Sequence, residues 1–122
     1  MVAQFFSEAE AEAEAEADSI FHALADATRR DIVTRAIRRE QSVSALAQHY
    51  AMSFAAVQKH VAVLERAALV TKKRHGREQI VSANLGAVRR VARLLDEYED
   101  LWRERASRIG DILSESPKGM DS

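Results

Sequence analysis

The chain has 122 residues, 47% of them hydrophobic and 30% charged, which predicts one globular domain rather than two. It contains no cysteine, and this excludes disulfides, thiolate metal ligands and thiol redox sensing. No apolar run approaches the roughly 20 residues that span a bilayer, and no secretory signal is visible, so we expect a cytoplasmic protein without a membrane partner.

The net charge of −1 conceals a segregation of charge along the chain. Residues 1–19 hold six acidic residues and no basic one, residues 20–95 have a net charge of +9, and residues 96–122 have a net charge of −4. A concentrated basic block favours a polyanionic partner such as nucleic acid, although the whole chain is almost neutral.

Residues 1–19 form an acidic N-terminal arm that we expect to be flexible or a frayed helix. Alanine and glutamate favour helix, but glutamates four residues apart repel and the arm has no apolar stripe. The arm either competes with DNA for the basic block or is a solubilising extension, and we favour the extension.

Two helices are predicted after the arm. The first covers 20–25, and its apolar members are Ile20, Phe21 and Leu24. The second begins at Asp26 or Thr28 and runs to about Arg39. The spacing of its apolar residues predicts a core stripe of Ile32, Val33, Ala36 and Ile37. Arg29 and Arg30, at its start, could reach a phosphate or lie on a solvated face.

Residues 42–69 have the layout of two helices joined by a tight turn. Ser42 or Ser44 can cap the first helix, and Ala51-Met52 forms the turn with Met52 directed inward. Ser53 can cap the second helix, whose apolar stripe is Val57, Val61, Leu64 and Ala68. Ser53, Phe54, Ala55 and Gln58 are predicted to face DNA bases, and Lys59, His60, Ser44 and Gln48 the DNA backbone.

A basic β-hairpin follows directly. The runs 70–74 and 78–82 are strand-like, and Gly76 between them supplies the positive φ that a hairpin tip needs. Four cations suit contact with a nucleic-acid backbone: Lys72, Lys73, Arg74 and Arg77. The alternative for the two helices is an ordinary buried helical hairpin with a polar outer face. The alternative for the β-hairpin is a solvated edge ribbon.

A long helix is predicted over 87–113, after a break at 84–86. Its apolar stripe exceeds what a body of this size covers, so a symmetric dimer is the natural solution, with Tyr98 and Trp102 as anchors. Residues 114–122 contain Pro117 and Gly119 and are predicted to be a disordered tail.

The segments FHALADATRRDIV and SVSALAQHYAMSFAAVQKHVAVLERAALVTKKRHGREQIV resemble the ArsR/SmtB family of bacterial winged-helix repressors. The resemblance runs from about residue 20 to 113, with mild departures at Ala27, Ala68 and Ile80. It implies that the first and last helices form the dimer interface, for which we select Ile20, Phe21, Leu24, Leu95, Tyr98, Leu101, Trp102 and Ile109.

The family's metal-ligand patterns are absent from the sequence. The third-helix region 44–50 has no cysteine, the last helix has no histidine, and the four histidines of the chain are scattered. We therefore expect no metal and no cofactor, with a hard-cation site at the acidic cluster 96–100 across a dimer as a minor alternative.

These observations predict a mainly α protein with a small β-hairpin, in which residues 20–113 form a winged helix-turn-helix. Since no nucleophile–base arrangement or phosphate loop is visible, no enzymatic activity is expected. The predicted function is sequence-specific binding of double-stranded DNA by a homodimeric repressor that occludes a promoter, with an unknown effector. The alternative is a protein-interaction module that uses the hairpin as a docking ribbon.

Overall fold

A computed structural model describes the backbone of residues 7–121 and the side chains of residues 7–114. Its elements, in chain order, are α1 (Glu8–Leu24), α2 (Ala27–Arg38), β1 (Gln41–Ser42), α3 (Val43–Ala47), α4 (Phe54–Arg66), β2 (Val70–His75), β3 (Glu78–Ala83) and α5 (Leu85–Asp121). The chain divides into two compact units, of which the first ends at Val88 and the second begins at Arg89, within α5.

The first unit has a helical core under a small sheet. Helix α4 packs against α1, α2 and α3, and its Val57, Val61 and Leu64 have no exposed surface. The other buried apolar side chains come from α1, α2, α3, the connection between α4 and β2, the strands and the start of α5, and include Ile20, Ala23, Ile32, Val33, Ala36, Val43, Leu46, Leu69, Val70, Val81 and Ala87.

Helix α1 begins at Glu8 rather than at the predicted residue 20. Ser7 caps it, because its Oγ accepts a hydrogen bond from the Glu10 amide at 3.2 Å. Glu8 and Glu10 lie in the first turn, where the helix dipole stabilises negative charge. The alternating alanines supply helix propensity without an apolar stripe, so part of the acidic arm is helical. Flexibility of the arm stays a prediction.

Helix α2 follows its predicted start closely but not its predicted core face. Asp26 is the N-cap, and its Oδ2 accepts from the Arg29 amide at 3.0 Å. Ile32, Val33 and Ala36 are buried as predicted, whereas Ile37 is 48% exposed. At about 100° per residue, Ile37 lies about 40° beyond Val33 on the side away from Ile32, so it falls outside the edge of the buried stripe.

The helix-turn-helix is built from α3 and α4. Ser42, not Ser44, caps α3 by accepting from the Ala45 amide at 3.0 Å. The prediction that Met52 points inward is wrong, since it is 36% exposed. Leu46 on α3 and Val57 on α4 are fully buried and supply the apolar contact near the turn instead. The predicted stripe residue Ala68 lies beyond the end of α4 and is exposed.

Strands β2 and β3 form the predicted antiparallel hairpin, and β1 adds a third strand that was not predicted, in the order β1-β3-β2. Lys73 lies opposite Ile80, and Lys72 lies opposite Val81. Val81 is fully buried, so its side of the sheet faces the core, and the side of Lys73 and Ile80 is the outer face. Gly76 has a φ of 64° at the tip, as predicted.

The second unit continues α5, which runs from Leu85 to Asp121 instead of from 87 to 113. Residues 114–116 contain no glycine or proline, so nothing stops the helix at Leu113. The predicted tail at 114–122 is thus helical in its backbone as far as Asp121, and its disorder stays a prediction. None of the helices in residues 7–121 combines the length and apolar character needed to cross a bilayer.

Candidate nucleic-acid interface

The N-terminal half of α4 presents an exposed face opposite the core. Its buried face consists of Val57, Val61 and Leu64. Of the residues that were predicted to contact DNA on or next to this helix, His60 is half-buried, and the others are exposed, namely Ser53, Phe54, Ala55, Gln58 and Lys59. Phe54 is 46% exposed, so much of its aromatic side chain is accessible to a ligand. A flat apolar group beside an amide and an ammonium can contact a base edge.

Ser53 has a structural role in addition to its exposure. Its Oγ accepts a hydrogen bond from the Ala56 amide at 3.1 Å and so caps α4. Because the hydroxyl hydrogen is not used in this bond, Ser53 can still donate to a phosphate or a base. Ser44 on α3 and Gln48 at its C-cap are also exposed.

The cations of the hairpin fall into two groups. Lys73, Arg74 and Arg77 are exposed, and Arg74 Nε donates to the Gly76 carbonyl at 3.2 Å. Lys72 is on the core side of β2, half-buried, and its Nζ lies 3.7 Å from Glu65 Oε1. Since Glu65 offsets its charge, Lys72 is less available to a polyanion than the other three.

His60 is directed toward α2 rather than outward. Its Nδ1 lies 3.3 Å from Arg29 Nη1 and 3.9 Å from Asp26 Oδ2. A guanidinium only donates, so Nδ1 accepts and the ring proton is on Nε2. The hydrogen bond from the Arg29 amide is the largest cause that lowers the pKa of Asp26 below its usual value, and the charge of Arg29 lowers it further. The predicted contact of His60 with the DNA backbone is untested by this arrangement.

Arg29 and Arg30 bind protein carbonyls at the end of α1. Arg29 Nε donates to the Ala23 carbonyl at 2.7 Å, and its Nη2 donates to the His22 carbonyl at 3.2 Å. Arg30 Nη1 donates to the Leu24 carbonyl at 2.8 Å. The last carbonyls of a helix lack intrahelical partners, so both arginines act as caps. These capping bonds were not predicted; Arg30 is exposed as on a solvated face, and a phosphate contact stays a prediction for both arginines.

Solved structures identify the family. No protein-family model and no curated protein sequence matches the chain. An ArsR-like transcriptional regulator from Rhodococcus sp. RHA1 is 35% identical, with 81% of this chain and 93% of that chain covered and a TM-score of 0.70. A second ArsR family transcriptional regulator is 30% identical over 74% of this chain and 93% of that one, with a TM-score of 0.69. The chain belongs to the ArsR family of transcriptional regulators.

A third structure supports the fold of this ArsR-family chain. It is the solution structure of a homodimeric winged helix-turn-helix DNA-binding domain from Mycobacterium bovis, described as a possible ArsR-family regulator. It is 22% identical and covers 78% of this chain and 88% of that one, with a TM-score of 0.64. The predicted family, fold class and non-enzymatic character are confirmed by these neighbours.

Most of the dimer-interface residues that the family resemblance implies are exposed in the single chain. Phe21 is 39% exposed and Leu24 is half-buried. The α5 members are 45–64% exposed: Leu95, Tyr98, Leu101, Trp102 and Ile109. Ile20 is only 3% exposed, so it belongs to the core of its own chain and offers little surface to a partner.

The ArsR-family metal positions hold no assembled ligand set in the part of the chain that the structure describes. Helix α3 has no cysteine, and no group of three or more His, Cys, Asp or Glu among these residues lies close enough together to hold a metal ion. The acidic residues at positions 96, 97, 99 and 100 are all exposed on α5. No donor set for a metal is therefore formed by the single chain in this range.

A half-buried polar network that the sequence analysis missed lies just before the turn that precedes α4. Tyr50 Oη donates to Asp31 Oδ2 at 2.6 Å, and Arg35 Nε donates to the same oxygen at 2.7 Å. Burial, followed by the hydrogen bond to Asp31, raises the pKa of Tyr50 to about 12. Tyr50 and Asp31 are 19 residues apart, so no local pattern could have paired them.

Proposed function

We propose that this ArsR-family chain is a sequence-specific, homodimeric repressor that acts in the cytoplasm by binding double-stranded DNA and occluding a promoter. The observation that carries the proposal is the combination of an exposed, chemically mixed face on α4 with exposed cations on the hairpin that follows it. A helix of this kind fits the major groove, and a basic hairpin beside it fits the backbone or minor groove.

The roles we assign follow the exposure of each side chain. Ser53, Phe54, Ala55 and Gln58 read base edges, and Gln58 has the amide that pairs with adenine. The positions that hold the backbone are Ser44, Gln48, Lys59, Lys73, Arg74 and Arg77. We place Lys72 and His60 behind this layer, where their contacts with Glu65 and Arg29 orient the hairpin and α4.

Dimerisation is the second part of the proposal. A dimer through α5 and the exposed part of α1 presents two copies of α4 to successive major grooves, about 34 Å apart. What supports it is the row of exposed large apolar side chains on α5 and the homodimeric state of the M. bovis domain.

Fluorescence anisotropy of the full chain on the DNA upstream of its own gene, against a shuffled duplex at two salt concentrations, tests the proposal. We expect a preference of at least about a hundredfold for the native sequence and a steep loss of affinity with salt. Equal, weak binding to both duplexes would overturn it.

Two variants separate base reading from backbone contact. Gln58→Ala should reduce the preference between the duplexes by about tenfold, because one bidentate base contact contributes roughly 1–3 kcal/mol. Arg77→Ala should weaken binding to both duplexes alike, and it should reduce the slope of log affinity against log salt concentration by about one. Arg103→Ala is the control, since it removes the same charge from α5, where no DNA contact is assigned.

The alternative function is a protein-interaction module with the hairpin as docking ribbon. It requires neither exposed small residues at the start of α4 nor unpaired cations on the hairpin. A shuffled duplex that binds as well as the native one, together with salt-insensitive binding of a protein partner, would favour it.

A further inference from the structure

A cleft of about 380 Å³ opens on the outer face of the sheet, outside the face of α4. This volume is in the range of small-molecule sites, about 300–1,000 Å³. All three strands or their flanks contribute to the lining, which consists of Glu40, Lys73, Arg74, His75, Ile80 and Ser82. Binding to DNA explains Lys73 and Arg74, but it gives no role to Glu40, Ile80 or Ser82.

One end of the cleft is acidic and held in place. Ser82 Oγ donates to Glu40 Oε2 at 2.9 Å, which orients the carboxylate and leaves Oε1 without a hydrogen bond among the described residues. Within the same residues, Glu40 forms no ion pair. An oriented carboxylate without a cationic partner is suited to accept from an ammonium group.

The other end is basic. Lys73 and His75 alternate along β2 and therefore share the outer face with Ile80, which lies directly opposite Lys73. Neither Lys73 nor His75 has an ion-pair partner in the part of the chain that the structure describes. Lys72, by contrast, is paired with Glu65 on the core side.

Strand β3 separates the two ends. Neighbouring strands are about 4.8 Å apart, so the backbones that carry Glu40 and Lys73 are roughly 10 Å apart. This distance is about one Debye length at physiological ionic strength, so salt weakens the attraction between the two opposite charges and each remains available to a ligand. The side chain between them on the cleft floor is Ile80, which is apolar and half-buried.

We propose that this cleft binds a small zwitterion whose ammonium and carboxylate groups are separated by a short aliphatic chain. The ammonium binds Glu40, the carboxylate binds Lys73 and His75, and the methylene groups lie on Ile80. The regulatory consequence rests on the proposed function. The ligand carboxylate offsets a positive charge of the hairpin, so the protein with bound ligand binds DNA less tightly.

Amide chemical-shift NMR of the full chain tests the site without DNA. The probe is 6-aminohexanoate, titrated at fixed pH and ionic strength, with hexanoate and hexylamine as comparators that each lack one charged group. We expect saturable shifts at residues 40, 73–75 and 80–82, and at least about tenfold weaker binding of both comparators, the effect of about one lost charged contact. Hexanoate that binds as tightly as the zwitterion would overturn the proposal.

Matched variants identify the two ends. Glu40→Gln retains an acceptor for Ser82 but removes the negative charge, and Lys73→Gln removes the positive charge. Each substitution should lower the affinity for 6-aminohexanoate about tenfold. Arg77→Gln, a hairpin cation that does not line the cleft, should leave the affinity within about twofold. An equal loss of affinity in Arg77→Gln would show a non-specific electrostatic effect and contradict a specific binding site in the cleft.

DNA anisotropy with saturating 6-aminohexanoate tests the regulatory part. The wild-type chain should lose roughly three- to tenfold in operator affinity, and Glu40→Gln should show no loss at the same concentration. If the wild type has no sequence preference at all, the proposed function fails while the NMR titration still decides the site. Saturated binding with unchanged operator affinity would contradict regulation through this cleft.

Discussion

Ala68 follows α4 in a left-handed conformation, with a φ of 60°. The Leu69 amide donates to the Leu64 carbonyl at 3.0 Å and the Ala68 amide to the Glu65 carbonyl at 2.9 Å, the pair of bonds of a Schellman motif. A Cβ in this conformation costs about 1–2 kcal/mol. The sequence departs from its family here, where glycine is frequent, and the backbone supplies the reason for that preference.

Ala68→Gly should raise the free energy of unfolding by about 0.5–1 kcal/mol, because the relief of strain exceeds the extra chain entropy of glycine in the unfolded state. Urea denaturation measures the change. The control is Ala67→Gly one residue earlier, where φ is −81° and the side chain is buried, and which should lower stability. A stability of Ala68→Gly equal to or below that of the wild type would contradict the strain.

Tyr50 contributes stability that depends on pH. Because the folded state raises its pKa to about 12 from 10.0, the neutral phenol is favoured, and this contribution is complete below pH 10 and is lost as the pH rises toward 12. Tyr50→Phe removes the 2.6 Å bond to Asp31 and should cost about 1–2 kcal/mol near neutral pH.

The difference in unfolding free energy between wild type and Tyr50→Phe should therefore shrink above pH 10. A gap that is constant from pH 8 to pH 11 would contradict the assignment. The chain has two tyrosines, so phenolate absorbance of a Tyr98→Phe protein reports Tyr50 alone and should show its midpoint near pH 12.

Helix α4 begins at a residue that serves both folding and the proposed DNA contact. Ser53→Ala removes the acceptor of the Ala56 amide and should cost about 1 kcal/mol of stability. Ser53→Asp keeps an acceptor and favours the helix dipole, but it places a negative charge at the DNA face. We expect Ser53→Asp to keep its stability within about 0.5 kcal/mol and to lose operator affinity by at least about tenfold.

Thermal or urea denaturation of Ser53→Ala and Ser53→Asp measures their stability, and fluorescence anisotropy measures their affinity for DNA. Retention of both stability and specific binding in Ser53→Asp would show that Ser53 is only a cap. The two properties are separable because capping needs an oxygen acceptor, whereas DNA contact needs the absence of negative charge.

The elements that the sequence predicts correctly are those with a local signal. The stripe of α4 recurs at three and four residues and is buried at Val57, Val61 and Leu64. The hairpin has Gly76 at a position where φ is positive. Each signal lies within one element, so its meaning does not depend on the rest of the fold.

The features that the sequence does not predict depend on distant partners or very short elements. Strand β1 has only two residues and no alternation to detect. The contact between Arg29 and His60 joins residues 31 apart and links α2 to α4, while the predicted DNA contact of His60 stays a prediction. The start of α1 was missed because an alternation of glutamate and alanine has helix propensity but no apolar face.

At the scale of the whole molecule, α5 leaves a large apolar surface in water. Tyr98, Leu101 and Trp102 are 59%, 60% and 64% exposed, and Ile112 and Leu113 are 64% and 63% exposed. Monomeric proteins rarely expose a continuous row of this kind. Burial of each such side chain contributes about 1.5–3 kcal/mol, so a few of them in a symmetric interface can hold a dimer together.

Trp102→Glu tests whether this surface holds two chains together, and sedimentation velocity measures the outcome. The wild type should be a dimer at micromolar concentration, and the variant a monomer, because a glutamate in an apolar interface is desolvated without a partner. Ser107→Glu adds the same charge on the opposite side of α5 and should remain dimeric. Operator affinity should fall at least about tenfold for Trp102→Glu alone, since one copy of α4 then binds one half-site. A dimeric Trp102→Glu protein would remove α5 from the interface and leave the exposed part of α1 as the surface to change next.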